Sequence, residues 1–438
     1  MNRVIGTCCL AVCLTPSNTP LDGRWDVTFD IPSQQYRAIL EFAVSSDGTV
    51  TTTNLVYPLL TVTEGHFTDG TLSLKGTSPY GPVGITTAIA GTAMTGKWQV
   101  AMISGAVRGS RMPDTRSAVR PRAVFDAVWD TLNRQYYDPQ FNGVDWRAMR
   151  ARYRPNSDAA RTDGQLVTVI RKMFADLHSS HLELSALPLD KAFVATPATG
   201  TSATAAPIVW RNLSPAIGYL QITQFEESPE ILGLVDRVFT ELGDLPSLII
   251  DVRGNPGGTL SAAMRLGDYL FPATRPAGYF VTRAGLARFK VQSAEQIPLD
   301  RLAVYSGYSV VDFRRELTRS GAVMLTTGGR AAAYQGRVVL LIDERCGSTT
   351  EGFASMVKET HAATLIGRRT AGAMLSSVEV PVVGGWTLRY PEADFRTASG
   401  QRVEGQGVEP DIVVQKSVIG DADLARAMTF LQKLPRPR

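Results

Sequence analysis

Val338-Val339-Leu340-Leu341-Ile342-Asp343-Glu344-Arg345-Cys346-Gly347-Ser348-Thr349-Thr350-Glu351 is the stretch on which the reading of this chain turns. Its unbroken apolar run predicts a strand covered on both faces, and Ser348 stands where that strand gives way to a helical pattern. Free N–H groups and the positive end of the dipole favour negative charge at a helix start, so the amide after the serine can serve an oxyanion and the serine can be a nucleophile. An equally local reading makes Ser348 an N-cap, with Glu351 three residues on completing a capping box. The segment alone leaves both open.

A second segment has the same shape. Ser247-Leu248-Ile249-Ile250-Asp251-Val252 reads as another doubly buried strand, followed by Arg253-Gly254-Asn255-Pro256-Gly257-Gly258 and a helical pattern from Thr259. Paired glycines bare the backbone and permit positive φ, which lets their N–H groups approach a substrate carbonyl. The alternative is a phosphate-binding turn, but neither Gly-x-Gly-x-x-Gly nor a Walker lysine is present.

Further along come Leu365-Ile366-Gly367-Arg368-Arg369-Thr370-Ala371-Gly372 and Gly405-Gln406-Gly407-Val408-Glu409-Pro410-Asp411. In this order and spacing the four motifs resemble the C-terminal processing (tail-specific) and tricorn-type serine proteases, over residues 118 to 415. The resemblance implies an α/β fold with a crotonase/ClpP-like βαβ catalytic core at 208–415, preceded by a small helical subdomain at 118–187. It implies Ser348 as nucleophile, an oxyanion hole from the amide of Thr349 and one of Gly257 or Gly258, a polypeptide substrate and no cofactor.

The base decides the branch. Tail-specific members carry a lysine directly after the Gly-x-x-Thr-x-Gly turn, where this chain has Ala373. Lys358 lies ten residues past Ser348 on the same predicted helix, about 15 Å away at 1.5 Å per residue, too far to take its proton. The segment Asp176-Leu177-His178-Ser179-Ser180-His181-Leu182-Glu183 resembles the tricorn-type stretch in which a Ser-His pair follows the last helix of the helical subdomain. Carried over, His181 is the base, Ser180 its hydroxyl neighbour, and Glu404 the carboxylate that polarises it. An imidazole with pKa near 6.5 suits proton abstraction at neutral pH.

The other histidines are His66, His178 and His361, of which only His178 competes with His181. The His178/His181 spacing is not the four-residue spacing of a helical zinc pair, and no Cys or Glu completes it, so no metal is expected. The absence of Gly-x-Ser-x-Gly argues against an α/β-hydrolase. Two rivals share the family's shape: a ligand-binding relative without catalysis, like the family's retinoid-binding members, and a crotonase-like acyl-CoA enzyme that needs no nucleophilic serine.

The chain has 438 residues, a net charge of +4 and no basic run, so nucleic-acid binding is not indicated. Residues 1–20 carry one positive charge, Arg3, then the apolar run to Leu14 and a polar spacer, as a signal peptide or lipoprotein leader does. Cleavage before Cys13 would leave a lipid anchor to a membrane and place the protein in a bacterial periplasm or cell envelope. Cys346 would then be the sole unmodified thiol. Residues 21–112 alternate polar and apolar between Asp47-Gly48, Asp69-Gly70 and Gly96-Lys97, predicting an antiparallel β-barrel or sandwich with Trp25 and Trp98 in its core. Met112 to Arg116 reads as a linker. Val124, Val128, Leu132 and Tyr136 then recur at helical spacing. The Ala- and Thr-rich run Pro188 to Pro207 reads as a loop where many relatives carry a PDZ domain, and 416–438 as a C-terminal helix and tail.

Overall fold

The computed structural model describes residues 19–31, 34–57, 60–78, 81–101, 103–113, 120–195, 207–329, 332–417 and 419–433. Residues 1–18 of the expected leader, with Cys13, and residues 114–119, with the last part of the expected linker (114–116), lie outside the described residues.

The first strands are β1 (Gly23–Ile31), β2 (Gln34–Val44), β3 (Val50–Asn54), β4 (Thr61–Thr68), β5 (Thr71–Ser78), β6 (Gly81–Ala90), β7 (Ala93–Val100) and β8 (Ile103–Arg111). β4 to β8 form an antiparallel meander, β1 pairs with both β8 and β2, and a bridge between Thr49 and His66 brings the ends of the sheet together. The result is a nearly closed eight-stranded barrel, whose inward positions carry apolar residues such as Leu72, Leu74, Val83 and Ile85. Trp25 and Trp98 are buried in it, and their indole N–H groups donate to the carbonyls of Leu21 and Asp30.

Next come α1 (Pro121–Gln135), α2 (Trp146–Asp158) and α3 (Asp163–Ala175). Pro121 opens α1, and the side chains of Asp145 and Thr162 cap the other two. Val124, Val128 and Leu132 face the shared core. α3 is tied to the barrel: the Gly164 amide donates to Glu41, and the Arg171 guanidinium donates to the carbonyls of Asn54 and Val56. This fixes the segment that follows α3, including Ser180 and His181.

β9 (Glu183–Ser185), α4 (Leu189–Ala192) and β10 (Phe193–Ala195) follow. The run from Pro188, expected to be loop, begins with a helical turn and a strand that adds to the barrel antiparallel to β2. Phe193 explains the difference, since it packs on Tyr36 in a tilted ring pair with centroids 5.2 Å apart. The rest of the run, 196–206, lies outside the described residues.

The core comprises β11 (Ile208–Ser214), β12 (Ile217–Ile222), α5 (Pro229–Leu242), β13 (Ser247–Asp251), α6 (Ser261–Leu270), β14 (Arg275–Thr282), α7 (Arg283–Phe289), β15 (Ala303–Tyr305) and α8 (Val310–Ser320). It continues with β16 (Ala322–Thr327), β17 (Arg337–Ile342), α9 (Thr349–Glu359), β18 (Thr364–Gly367), β19 (Leu375–Val382), β20 (Trp386–Arg396), β21 (Ile412–Val413) and α10 (Ala422–Lys433). One six-stranded sheet runs β11-β12-β13-β17-β18-β21, parallel from β12 onward. The second runs β15-β16-β14-β20-β19, with β9 alongside β20. Leu248, Ile250, Leu340 and Ile342 face α5, α6 and α9, while Ile249, Val339 and Leu341 face α10. Coverage on both faces is why these strands read as continuous apolar runs.

Both central strands end in Asp-x-Arg. Asp251 binds Arg253, which reaches Asp421 and Asp423 at the start of α10. Asp343 binds Arg345 and accepts the Gly254 amide at 2.8 Å. The two loops that leave these strand ends are thereby held against each other.

Candidate active site

Ser348 joins β17 to α9 with φ 53° and ψ −125°, a conformation that costs a non-glycine residue about 1–3 kcal/mol and persists only when its surroundings enforce it. Here its N–H donates to the carbonyl of Ala373 at 2.9 Å and its own carbonyl accepts from Glu351 and Gly352. Its side chain makes no capping bond. The serine half of the capping box is therefore absent, and the Glu351 carboxylate takes Thr370 Oγ1 and the amides of Gly372 and Ala373. Glu351 is fully buried, and it pins the turn whose carbonyl holds Ser348.

The glycine loop lies directly against this serine. A methyl group on Gly257, at φ +105°, would stand 2.7 Å from Ser348 Cβ, and one on Gly258, at φ +130°, would stand 1.9 Å from the Phe225 carbonyl. Only glycine fits either position. The Gly257 amide, one of the two expected oxyanion donors, is already committed to Asn255 Oδ1 at 2.9 Å. That corrects the choice left open by the motif: the amides without a hydrogen-bond partner among the described residues are those of Gly258 and Thr349. Asn255, fully buried, also donates from Nδ2 to Ile222 O and accepts at its carbonyl from Gly347. Its role was invisible in the sequence beyond its place between Gly254 and Pro256.

Ser180, His181 and Glu404 come together. Ser180 Oγ lies 2.6 Å from His181 Nδ1 and donates to Glu404 Oε2 at 2.9 Å. The Ser180 amide donates to Glu404 Oε1 at 2.7 Å, and the Met374 amide to Oε2 at 2.8 Å. A hydroxyl has one proton, so with Ser180 donating to an ionised Glu404 its oxygen must accept from Nδ1–H. That tautomer leaves His181 Nε2 as a bare acceptor. Burial raises the Glu404 carboxyl above its ordinary range against these donors and the nearby Arg402. Burial, reinforced by the charge of Arg389, pushes His181 down to about 3, well below the 6.5 expected from the sequence. His181, like Ser348, sits at positive φ, 61°.

Ser348, Thr349, Gly258, Ser180 and His181 all line one cleft of about 1510 Å³. Among the described residues no hydrogen bond joins Ser348 Oγ to His181, a contact that commonly tightens only when substrate is bound. Ile31, Gln34 and Tyr57 of the barrel also line the cleft. His178 is exposed and outside it, and His66 and His361 are exposed elsewhere. Lys358 donates to the Glu409 carbonyl, away from Ser348. Cys346 is buried, hydrogen-bonded to Val252 O, and burial holds its thiol far above the usual range. No three metal-ligating side chains converge among the described residues.

Residues 216–414 match peptidase family S41, and residues 119–175 match the tricorn protease C1 domain. The α/β core is thus the part of the chain that is similar to family S41. Over 211 residues it is 21% identical to a carboxyl-terminal-processing protease of Synechocystis sp., covering 48% of this chain and 40% of that protein. Over 202 residues it is 22% identical to a protein of Staphylococcus epidermidis assigned as a CtpA-like serine protease, covering 45% and 33%. The chain thus spans well under half the length of these curated relatives. A solved structure of a candidate peptidase from Parabacteroides merdae ATCC 43184 shares the fold at a TM-score of 0.52 and 19% identity, covering 72% of this chain and 97% of that one.

Proposed function

We propose that the chain is a serine endopeptidase in which Ser348 is the nucleophile and His181 the base. The observation that carries this reading is the hydrogen-bonded series Glu404–Ser180–His181 in the same cleft as Ser348 and the two unpartnered amides of Gly258 and Thr349. As Ser348 Oγ attacks a peptide carbonyl carbon, its proton passes to His181 Nε2, and the negative oxygen is received by the amides of Gly258 and Thr349. The imidazolium is stabilised through Ser180 by Glu404. Collapse of the tetrahedral species breaks the C–N bond, with His181 protonating the departing amine. Water then attacks the acyl ester by the same route and releases Ser348.

A fluorophosphonate probe tests the reading. It should label the wild type at Ser348 and fail to label Ser348→Ala, and casein or a peptide library should be cut only by the wild type. Absence of labelling together with absence of cleavage would leave a ligand-binding or acyl-CoA role in its place. The leader-like residues 1–20 support a further proposal, that the protein acts in a bacterial cell envelope with Cys13 lipidated. Fractionation and mass spectrometry of the mature N-terminus decide that.

A further inference from the structure

The wall of the cleft beside His181 carries two arginines that make no salt bridge among the described residues. Arg389 of β20 donates from Nε to Ser377 Oγ at 3.0 Å, and Arg314 of α8 donates from Nη2 to the Ser377 carbonyl at 2.9 Å. Both guanidinium groups are thus anchored on one residue, and all three residues line the cleft. The neighbouring acids lie within electrostatic reach but make their closest hydrogen bonds to other groups. Glu183 and Glu379 flank Arg389 across the sheet, but Glu183 pairs with Arg171 at 2.6 Å and Glu379 accepts the Leu189 amide. Glu392, near Arg314, accepts from Ser376 Oγ at 3.1 Å. The third arginine of the lining, Arg345, is paired with Asp343.

Among the described residues neither guanidinium has a carboxylate within ion-pair distance, and the guanidinium fork matches a carboxylate in two parallel bonds. Burial already holds Arg389 below the ordinary arginine range. Ser377 is four residues along the chain from Ala373, whose carbonyl holds Ser348, a span of about 13 Å in extended backbone. Reach of the arginine side chains shortens it. We infer that Arg389 and Arg314 form a specificity subsite for a carboxylate of the polypeptide substrate, an Asp or Glu side chain roughly two to four residues from the bond that is cut. This rests on the peptidase reading of the cleft and adds to it a class of substrate.

The test uses the full chain carrying Ser348→Ala and fluorescence polarisation with labelled, C-terminally amidated peptides in which a single Glu or Gln is moved along an otherwise neutral sequence. At one register Glu should bind on the order of 10- to 100-fold more tightly than Gln, the range of a charge-assisted pair. Adding Arg389→Gln should bring that ratio close to one, Arg389→Lys should leave an intermediate ratio, and Arg314→Gln, at an exposed position, should lower it without affecting the fold. Equal binding of Glu and Gln at every register, or a preference that survives both substitutions, overturns the subsite. A neutral peptide with a free C-terminus distinguishes chain ends from internal acids: if only that peptide is preferred, the internal acid is the wrong source. Cleavage by the wild type is scored separately. Preferential binding without any cleavage keeps the subsite and removes the peptidase, whereas cleavage without preference does the reverse.

Discussion

Thr349 Oγ1 donates a hydrogen bond of 2.8 Å to the carbonyl of Gly258, so the helix start that follows Ser348 is fastened to the loop that supplies the other unpartnered amide. The two oxyanion donors proposed here lie beyond the ends of strands β17 and β13, at the start of α9 and in the glycine loop, and this side-chain bond sets their separation. Thr349→Val removes the bond while keeping shape and amide. We expect turnover to fall roughly two- to twelvefold with little change in KM, the rate equivalent of a net 0.5–1.5 kcal/mol hydrogen bond felt in the transition state. Steady-state kinetics on one peptide suffices, and a pure KM effect would assign Thr349 to substrate binding instead.

Ser348→Ala should abolish hydrolysis by a factor on the order of a million in turnover while the protein stays folded, because Ser348 is the residue held by the Ala373 carbonyl beside the two free amides. Circular dichroism and turnover measured together check this. Residual activity of a tenth would rule out covalent catalysis at that residue.

Replacing His181 with Ala should be as harmful as losing Ser348, and the double variant no worse than either single one, since the two act as a unit. His178→Ala should retain nearly full activity, because that side chain is exposed outside the cleft. Reversed results would move the base to His178.

The pH dependence follows from burial. With His181 lowered to about 3 and an unfolded value near 6.5, the imidazole is neutral and active throughout the neutral range, and activity is lost only as pH falls toward the lowered value. Stability has the same sign: between those two values the unfolded chain binds the extra proton, so stability falls with decreasing pH and is unaffected by this group above about 6.5. A pH–rate profile should therefore be flat from pH 8 to below 6, and a limb near 9 would indicate a different base.

Glu404→Gln keeps the size of the side chain but removes the charge behind Ser180. Turnover should drop by roughly 10- to 10⁴-fold, less than for Ser348→Ala, with the acid limb displaced to still lower pH because the imidazolium loses its counter-charge. Unchanged turnover in the same profile would make Glu404 a structural group that only anchors the amides of Ser180 and Met374.

Much of this was legible in local sequence. Apolar runs ending in Asp-x-Arg and glycine or serine specify strand, turn and helix through interactions within a few residues, and alternating residues with Asp-Gly turns specify a β-barrel or sandwich. What depended on distant contacts was not. Ser180 and Glu404 are 224 residues apart, and the family resemblance, not spacing, brought them together before the structure did. Burial of His181 and the direction of its pKa are properties of the assembled cleft. Which glycine amide is free was decided by Asn255 folding back onto Gly257, and the reach of Glu351 to the 370–373 turn depended on how that turn packs. The strand at Phe193 required the barrel's Tyr36 to pack against. Arg314 and Arg389 are 75 residues apart and meet only at Ser377, through a helix packed beside a sheet edge. Sequence by itself determined the elements and the chemistry they carry, since those rest on local periodicity and residue type. Tertiary structure alone decided which groups meet, which hydrogen bonds remain open and how each charge is solvated, since these depend on what is packed around them.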